Sequence, residues 1–207
     1  SGYLRPEMIR ELLISANIPV AEEAVVTNVD VAKKTAVQFG FPLVMKVVGP
    51  VHKTDVGGVS LNIKTIEEVE FEFNKLMKLK DAVAVQMQKM ISGVELFAGA
   101  KYEKDFGHLI LCGLGGIYVE VLKDISFALA PLTKDEALRM IRNLKAYKMF
   151  SGVRGKAPIK EEIFAEILVN LSYLVTVAPE IKEMDLNPLL ADGDSIVAVD
   201  ARIRIEK

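Results

Sequence analysis

Residues 42–63 read Pro42-Leu43-Val44-Met45-Lys46-Val47-Val48-Gly49-Pro50-Val51-His52-Lys53-Thr54-Asp55-Val56-Gly57-Gly58-Val59-Ser60-Leu61-Asn62-Ile63. An apolar run carrying one lysine is closed by Gly49-Pro50, and a second run begins at Gly58. Short apolar runs bounded by such breakers predict strands over 42–48 and 58–63. Between them, His52 to Gly58 gathers an imidazole, an ammonium, a hydroxyl, a carboxylate and two adjacent glycines. Adjacent glycines let backbone N–H groups approach phosphate oxygens. Imidazole is nucleophilic near neutral pH, so His52 could accept a phosphoryl group. An ordinary hairpin with solvent-facing polar residues fits the same stretch. It is not a Walker A loop, because the lysine precedes the glycines and no Gly-Lys-Ser/Thr follows. Lys46 is the other candidate. An ammonium inside an apolar strand is costly unless it meets an anion, which suits a phosphate ligand, although a lysine at a strand edge can also snorkel to water.

Around this segment the chain alternates helical and strand patterns. Amphipathic helices are expected from Arg5 to Ala16, from a cap at Asn28 to Gly40, from a Thr65/Glu68 capping box to about Leu79, from a Thr133/Glu136 box to about Lys145, and over Glu161 to Val177. Further strands are expected over 23–26, 82–88, 94–102, 109–114 and 117–121, and in a C-terminal hairpin with strands over 181–187 and 196–205 and a turn at Asp192-Gly193. The order is mixed rather than a strict βαβ alternation. The fold class expected is therefore α+β, with two α+β lobes split near residue 80, spanning 1–80 and 81–207.

The hairpin holds a second chemical set, Glu183-Met184-Asp185-Leu186-Asn187-Pro188 with Val199-Asp200-Ala201-Arg202. Glu183, Asp185 and Asn187 share one face of a strand, and Asp200 comes beside them from the next. A carboxylate and an amide oxygen on neighbouring strands suit Mg2+, which takes few protein ligands and leaves room for phosphate oxygens. A polar, solvent-facing stripe is the competing reading. Gly113-Leu114-Gly115-Gly116 reads as a phosphate-approach loop or a tight turn, and Arg154, between two glycines, as an anion contact or a surface residue. His108 reads as structural or surface, and Cys112 as a small core residue.

Bulk composition narrows the function classes. The 207 residues carry a net charge of −2, so there is no electrostatic footprint for nucleic acid and no basic run for a membrane surface. No apolar run reaches the ~20 residues of a membrane span. A single cysteine fits a reducing, intracellular compartment, and a cytoplasmic location is expected.

Taken in order, Gly40 to Lys46, His52 to Val59, Gln88-Lys89-Met90, Gly93-Val94-Glu95, Phe106-Gly107, Gly113 to Glu120, Ser151 to Gly155, Glu183 to Pro188 and Asp200-Ala201-Arg202 resemble the ATP-grasp domain of NDP-forming acyl-CoA synthetases. The resemblance covers nearly the whole chain, and its combination of motifs is far more specific than any one of them. It implies an ATP-grasp fold with the nucleotide between two lobes. It also implies an acid–thiol ligase that uses Mg2+ and ATP or ADP as substrate.

The roles it implies fall on individual residues. Lys46 matches the lysine on the nucleotide phosphates, and the loop residues Lys53, Gly57 and Gly58 join it there. Gln88, Lys89, Met90 and Ile91 match the hinge that reads the base, and Glu95 an acidic residue near the nucleotide. Asn187 and Asp200 match the Mg2+ ligands. His52 matches a histidine phosphorylated in transit, relaying phosphoryl from a phosphohistidine of a CoA-binding portion to ADP. The expected partner is that portion, as an α subunit or a fused α-type domain, in a hetero-oligomer or fused dimer. The pattern also carries a basic residue within Ile125 to Pro131, where this chain has Ala128, so one cation near the phosphates is expected to be missing or supplied elsewhere. A competing implication is a non-catalytic, nucleotide-sensing regulatory domain of an acyltransferase-type fusion. Retention of His52, Lys46, Asn187 and Asp200 together favours the catalytic reading.

Overall fold

The computed structural model describes residues 2–49, 56–116, 123–152 and 158–206. They form two compact units, one of residues 21–91 and one of residues 1–20 with 92–207.

The smaller unit is a four-stranded antiparallel sheet in the order β2-β5-β3-β4, built from β2 (Glu23–Val26), β3 (Leu43–Val48), β4 (Val59–Ile63) and β5 (Ala84–Lys89). Two helices, α2 (Val29–Phe39) and α3 (Ile66–Leu76), pack on one face. Asn28 caps α2 by accepting the Asp30 N–H at 2.7 Å, and Thr65 caps α3 by accepting the Glu68 N–H at 3.2 Å. Side chains alternate across the strands. Leu43, Met45, Val47, Val85 and Met87 point into a core closed by Ala32, Ala36, Val69 and Phe73. The opposite face of β3 and β5 therefore carries Val44, Lys46, Gln86 and Gln88.

The larger unit is a mostly antiparallel sheet in the order β1-β11-β9-β6-β7-β8, with β10 also paired to β9. Its strands are β1 (Gly2–Tyr3), β6 (Val94–Glu103), β7 (Gly107–Leu114), β8 (Ile125–Leu129), β9 (Ile181–Asp192), β10 (Ser195–Ala198) and β11 (Ala201–Ile205). Helices α1 (Pro6–Ser15), α4 (Lys134–Arg142) and α5 (Glu161–Val177) supply the other side of the core, in which Leu13, Ile141, Phe164 and Leu168 meet Leu96, Ile110, Leu114 and Ile203. The capping box at Thr133 is complete: the Thr133 hydroxyl accepts the Glu136 N–H, and the Glu136 carboxylate accepts the Thr133 N–H at 2.8 Å.

A single cut near residue 80 does not divide the described chain. β5 lies between β2 and β3 and pairs with both, which binds 84–89 into the smaller unit. Residues 1–20 go the other way. β1 pairs with β11, and Ile9 and Leu13 of α1 are buried in the larger core. Among the described residues no helix is long and apolar enough to cross a membrane. The strand expected over 117–121 and the loop at Arg154 lie outside the described residues.

Candidate nucleotide and metal sites

Lys46 sits near the end of a strand whose neighbours are almost all buried, and its own exposure is only 8%. Its register partners are Gln86 on β5 and Val59 on β4. The lysine is thus part of the sheet's polar face rather than a snorkelling edge residue. His52 and Lys53, with Thr54 and Asp55, lie outside the described residues. The returning end of their loop is described. Val56 and Gly57 form a turn, with Gly57 at φ 68°, a left-handed conformation that glycine adopts without strain. The Gly58 carbonyl accepts the Val47 N–H at 2.8 Å, which ties the loop's end to the residue after Lys46.

The expected hinge follows β5. Gln88 is buried, with 3% exposure, Lys89 is exposed, and Met90 and Ile91 are half-buried. The Met90 N–H donates to the Pro42 carbonyl at 2.9 Å. That donor is already used, so a base read by backbone here must use other groups of the segment.

Two residues on this face were not picked out as site candidates from the sequence. Glu23 on β2 accepts from Nε2 of Gln88 at 2.9 Å and from Nε2 of Gln86 through the same oxygen, Oε2. The available signal was a pair of glutamines two apart in an otherwise apolar strand, which places both on one face. Nothing local connects them to a glutamate 63 residues away.

In the larger unit, Glu95 on β6 and the glycine loop after β7 are in contact. The Gly115 N–H donates to the Glu95 carbonyl at 2.7 Å. A Cβ on Gly115 would stand 3.0 Å from the Glu95 Cβ, and Gly116 has φ 58°. Gly115 and Gly116 let the loop close onto Glu95, so these two glycines are a packing requirement there.

Asn187 and Asp200 are brought side by side. The Asn187 N–H donates to the Asp200 carbonyl at 3.2 Å, and Asp200 Oδ1 accepts the Ala201 N–H at 3.2 Å. Asp200 lies in the link between β10 and β11 rather than within a strand. Next to them Asp185 is paired in register with Arg202 and Gly99. Burial pushes the Asp185 carboxyl above its ordinary range; Arg202 opposes the rise, and the charges of Asp200 and Glu183 add to it. One carboxylate and one amide oxygen with a nearby acidic group is an all-oxygen donor set, which fits Mg2+. Among the described residues no three His, Cys, Asp or Glu side chains cluster as a fuller metal cage would need.

Three other expectations find their places. His108 is structural: its Nε2–H donates to the Ile181 carbonyl at 2.6 Å, and its ring meets Tyr102 edge-on at 5.2 Å. Cys112 is in the core, where burial raises its thiol to about 12 and the Asp124 charge adds to the rise, so it is not a ready nucleophile. Ala128 pairs with Ile110 and packs against the larger core. A basic residue at that position would start toward the helices, so Ala128 does not remove a cation from the sheet face that carries Asp185.

Two units, each a sheet backed by helices on one face, place the chain in the mixed α+β class. The chain belongs to the ATP-grasp domain family, which matches residues 1–205. It is 43% identical to the β subunit of an ADP-forming acetate–CoA ligase I of Pyrococcus furiosus, over 94% of this chain and 88% of that one. It is 41% identical to the ADP-forming acetate–CoA ligase I of Archaeoglobus fulgidus over 93% of this chain, which is only 29% of that longer protein. The chain thus spans most of a separate β subunit and under a third of a single-chain ligase. Solved structures of a dinucleotide-forming acetyl-coenzyme A synthetase 1 of Candidatus Korarchaeum cryptofilum share the fold. One, with coenzyme A and Ca-AMPCP, has TM-score 0.94 and 34% identity, covering 99% of this chain and 94% of that chain. Another, with coenzyme A and Mg-AMPPCP and a phosphohistidine segment pointing towards the nucleotide binding site, has TM-score 0.86 and 35% identity, covering 99% and 93%.

Proposed function

We propose that this chain is the nucleotide-binding part of an ADP-forming acyl-CoA ligase, working with a CoA-binding α subunit or fused α-type domain in the cytoplasm. The reaction is acyl-CoA, phosphate and ADP to carboxylic acid, CoA and ATP, run in either direction. Phosphate displaces CoA from the acyl group on the CoA-binding part, giving acyl phosphate. A histidine of that part takes the phosphoryl group and frees the acid. His52 takes the phosphoryl group from that histidine and passes it to the terminal oxygen of ADP, regenerating its own imidazole.

The observation that carries the reading is Lys46, an ammonium held at 8% exposure on the polar face of a sheet. An ammonium on such a face is placed to meet an anion, and a nucleotide phosphate is the anion this family handles. Lys46 draws charge from the phosphate oxygens, with Lys53 and the Gly57-Gly58 backbone beside it in sequence. The segment Gln88 to Ile91 reads the base, and Glu95 adds an acidic contact to the nucleotide. Asn187 and Asp200 would hold Mg2+, which supplies further charge neutralisation on the phosphates. Positioning and electrostatics are the main contributions a protein makes to phosphoryl transfer.

The test is to combine the chain with its CoA-binding partner, acyl-CoA, phosphate and Mg-ADP and to follow ATP. Formation of ATP is expected, and its absence with a competent partner would sink the reading. His52→Ala should abolish acid-labile label on this chain from γ-labelled ATP; label that persists would assign the relay to another residue.

A further inference from the structure

Three strands of the smaller sheet place four polar side chains in two adjacent rows of its helix-free face, Glu23 opposite Gln88 in one and Gln86 opposite Lys46 in the next. Glu23 is on β2, Gln86 and Gln88 on the middle strand β5, and Lys46 on the far strand β3. Gln86 and Gln88 are only 6% and 3% exposed, and Lys46 8%. Buried polar groups at this density are high-stakes, because each must be satisfied in a fixed orientation.

The orientation of the two amides follows from Glu23. A carboxylate only accepts, so the amide end turned to it must be the NH2 group. Both glutamines indeed give Nε2 to Glu23 Oε2. With their nitrogens drawn toward β2, the amide oxygens are directed to the other flank of β5, where β3 runs. There Lys46 stands directly opposite Gln86 and diagonal to Gln88. Cross-strand partners on one face lie within side-chain reach, and diagonal ones roughly 7–8 Å apart.

The charges follow the same order: anion, two aligned amide dipoles, cation. Amide oxygens polarised by a carboxylate behind them can steady an ammonium without cancelling its charge. Glu23 itself lies on a strand two spacings from β3, roughly 9–10 Å from backbone to backbone.

We propose that Glu23 is a positioning residue for Lys46. It acts through Gln86 and Gln88, whose amides it locks with their oxygens toward the lysine, so that Lys46 is held ready for the nucleotide phosphates. This rests on Lys46 being the phosphate ligand named above.

The test is a binding cycle on the full chain with Mg-ADP, and with adenosine as the ligand lacking phosphate. Glu23→Gln keeps the shape but can donate as well as accept, so it releases the amide orientation. It should weaken Mg-ADP by about tenfold, the scale of one hydrogen bond to a charged group. Adenosine binding should change by less than about twofold in the same variant. In a Lys46→Met background, Glu23→Gln should have almost no further effect on Mg-ADP, because the residue it acts through is gone. Equal losses for ADP and adenosine, or an undiminished effect in the Lys46→Met background, would show a merely structural role and overturn the proposal. Wild-type affinity for Mg-ADP in Glu23→Gln would overturn it too. If Glu23→Gln does not fold, Gln86→Met carries the same comparison. A wild-type chain that binds no Mg-ADP would instead remove the nucleotide reading, and this proposal with it.

Discussion

Glu161 opens α5 and collects three donors. Arg142 reaches it through Nε at 3.1 Å and Nη2 at 2.5 Å, and the Tyr147 hydroxyl donates to it at 2.9 Å. These bonds, the one from Arg142 first, hold its carboxyl below the usual range against the opposing effect of burial. A depressed folded value means that the carboxylate stabilises the fold above its unfolded value. That stability is lost as the pH falls through the lower folded value. Because Arg142 is half exposed at 53%, the network contributes modestly. Glu161→Gln should lose about 0.5–1 kcal/mol at neutral pH. In denaturant melts the gap should close as the pH falls through the carboxylate range, and a constant gap would assign the loss to packing. At the proposed metal pair, Asn187 and Asp200, the chemistry differs. Asn187→Ala with Asp200→Ala should weaken nucleotide binding at least about tenfold with Mg2+ present and little in EDTA. Calorimetric titrations in the two conditions decide it, and equal losses would argue against metal ligation.

At the scale of elements, α5 does more than cover the sheet. Ser172 is wholly buried in the middle of the helix, where its hydroxyl accepts the Leu132 N–H at 2.9 Å and donates to the Val169 carbonyl at 2.7 Å. It thereby fixes the link from β8 to α4. Ser172→Ala leaves a buried N–H without its acceptor and should cost about 1–3 kcal/mol, measured as a shift in the urea midpoint. A shift below a few tenths would mean that the amide finds another acceptor. β8 itself was not read from the sequence. Its Ile125, Phe127 and Leu129 face outward at 37%, 67% and 48% exposure, while Ser126 and Ala128 turn the other way. The usual rule of apolar in and polar out is reversed, yet Ile125 to Leu129 alternates with the period of a strand, so this element was legible in the sequence and was passed over. Pro188 misled in the opposite direction. The strand expected over 181–187 runs on through it to Asp192. Pro188 sits where the partner changes from β11 to β10 and where the register against β6 shifts, a place that needs no ladder N–H. By contrast Asn28, Thr65 and Thr133 announced their helices, because a cap is a local interaction that a few adjacent residues encode. The site divides in the same way. Lys46, Asn187 and Asp200 stood out through their immediate contexts. Glu23 became visible only once β2 and β5 were paired.

For the molecule as a whole, the division of the core matters most. The smaller unit has its own core around Leu43, Met45, Val47, Phe73 and Met87, and the larger unit a separate one around Leu96, Ile110, Phe164 and Leu186. The smaller unit spans 71 residues, 21 to 91, a size at which a single core supplies only a few kcal/mol. Local opening is therefore expected to begin there. Leu43 is fully buried in β3, three residues before Lys46, with α2 and α3 packed on its side of the sheet. Leu43→Ala removes apolar contacts and leaves a cavity, a loss of about 2–5 kcal/mol. That loss falls on the smaller core alone. Native-state hydrogen exchange should therefore show β3 and β5 amides opening more easily by that amount, while β6 and β9 amides keep nearly their original protection. If all four strands lose protection together, the two cores unfold as one cooperative unit. A selective loss would mean that the sheet presenting Lys46 can open while the sheet presenting Asn187 stays folded, so that ligands bound to the smaller unit would raise its protection first.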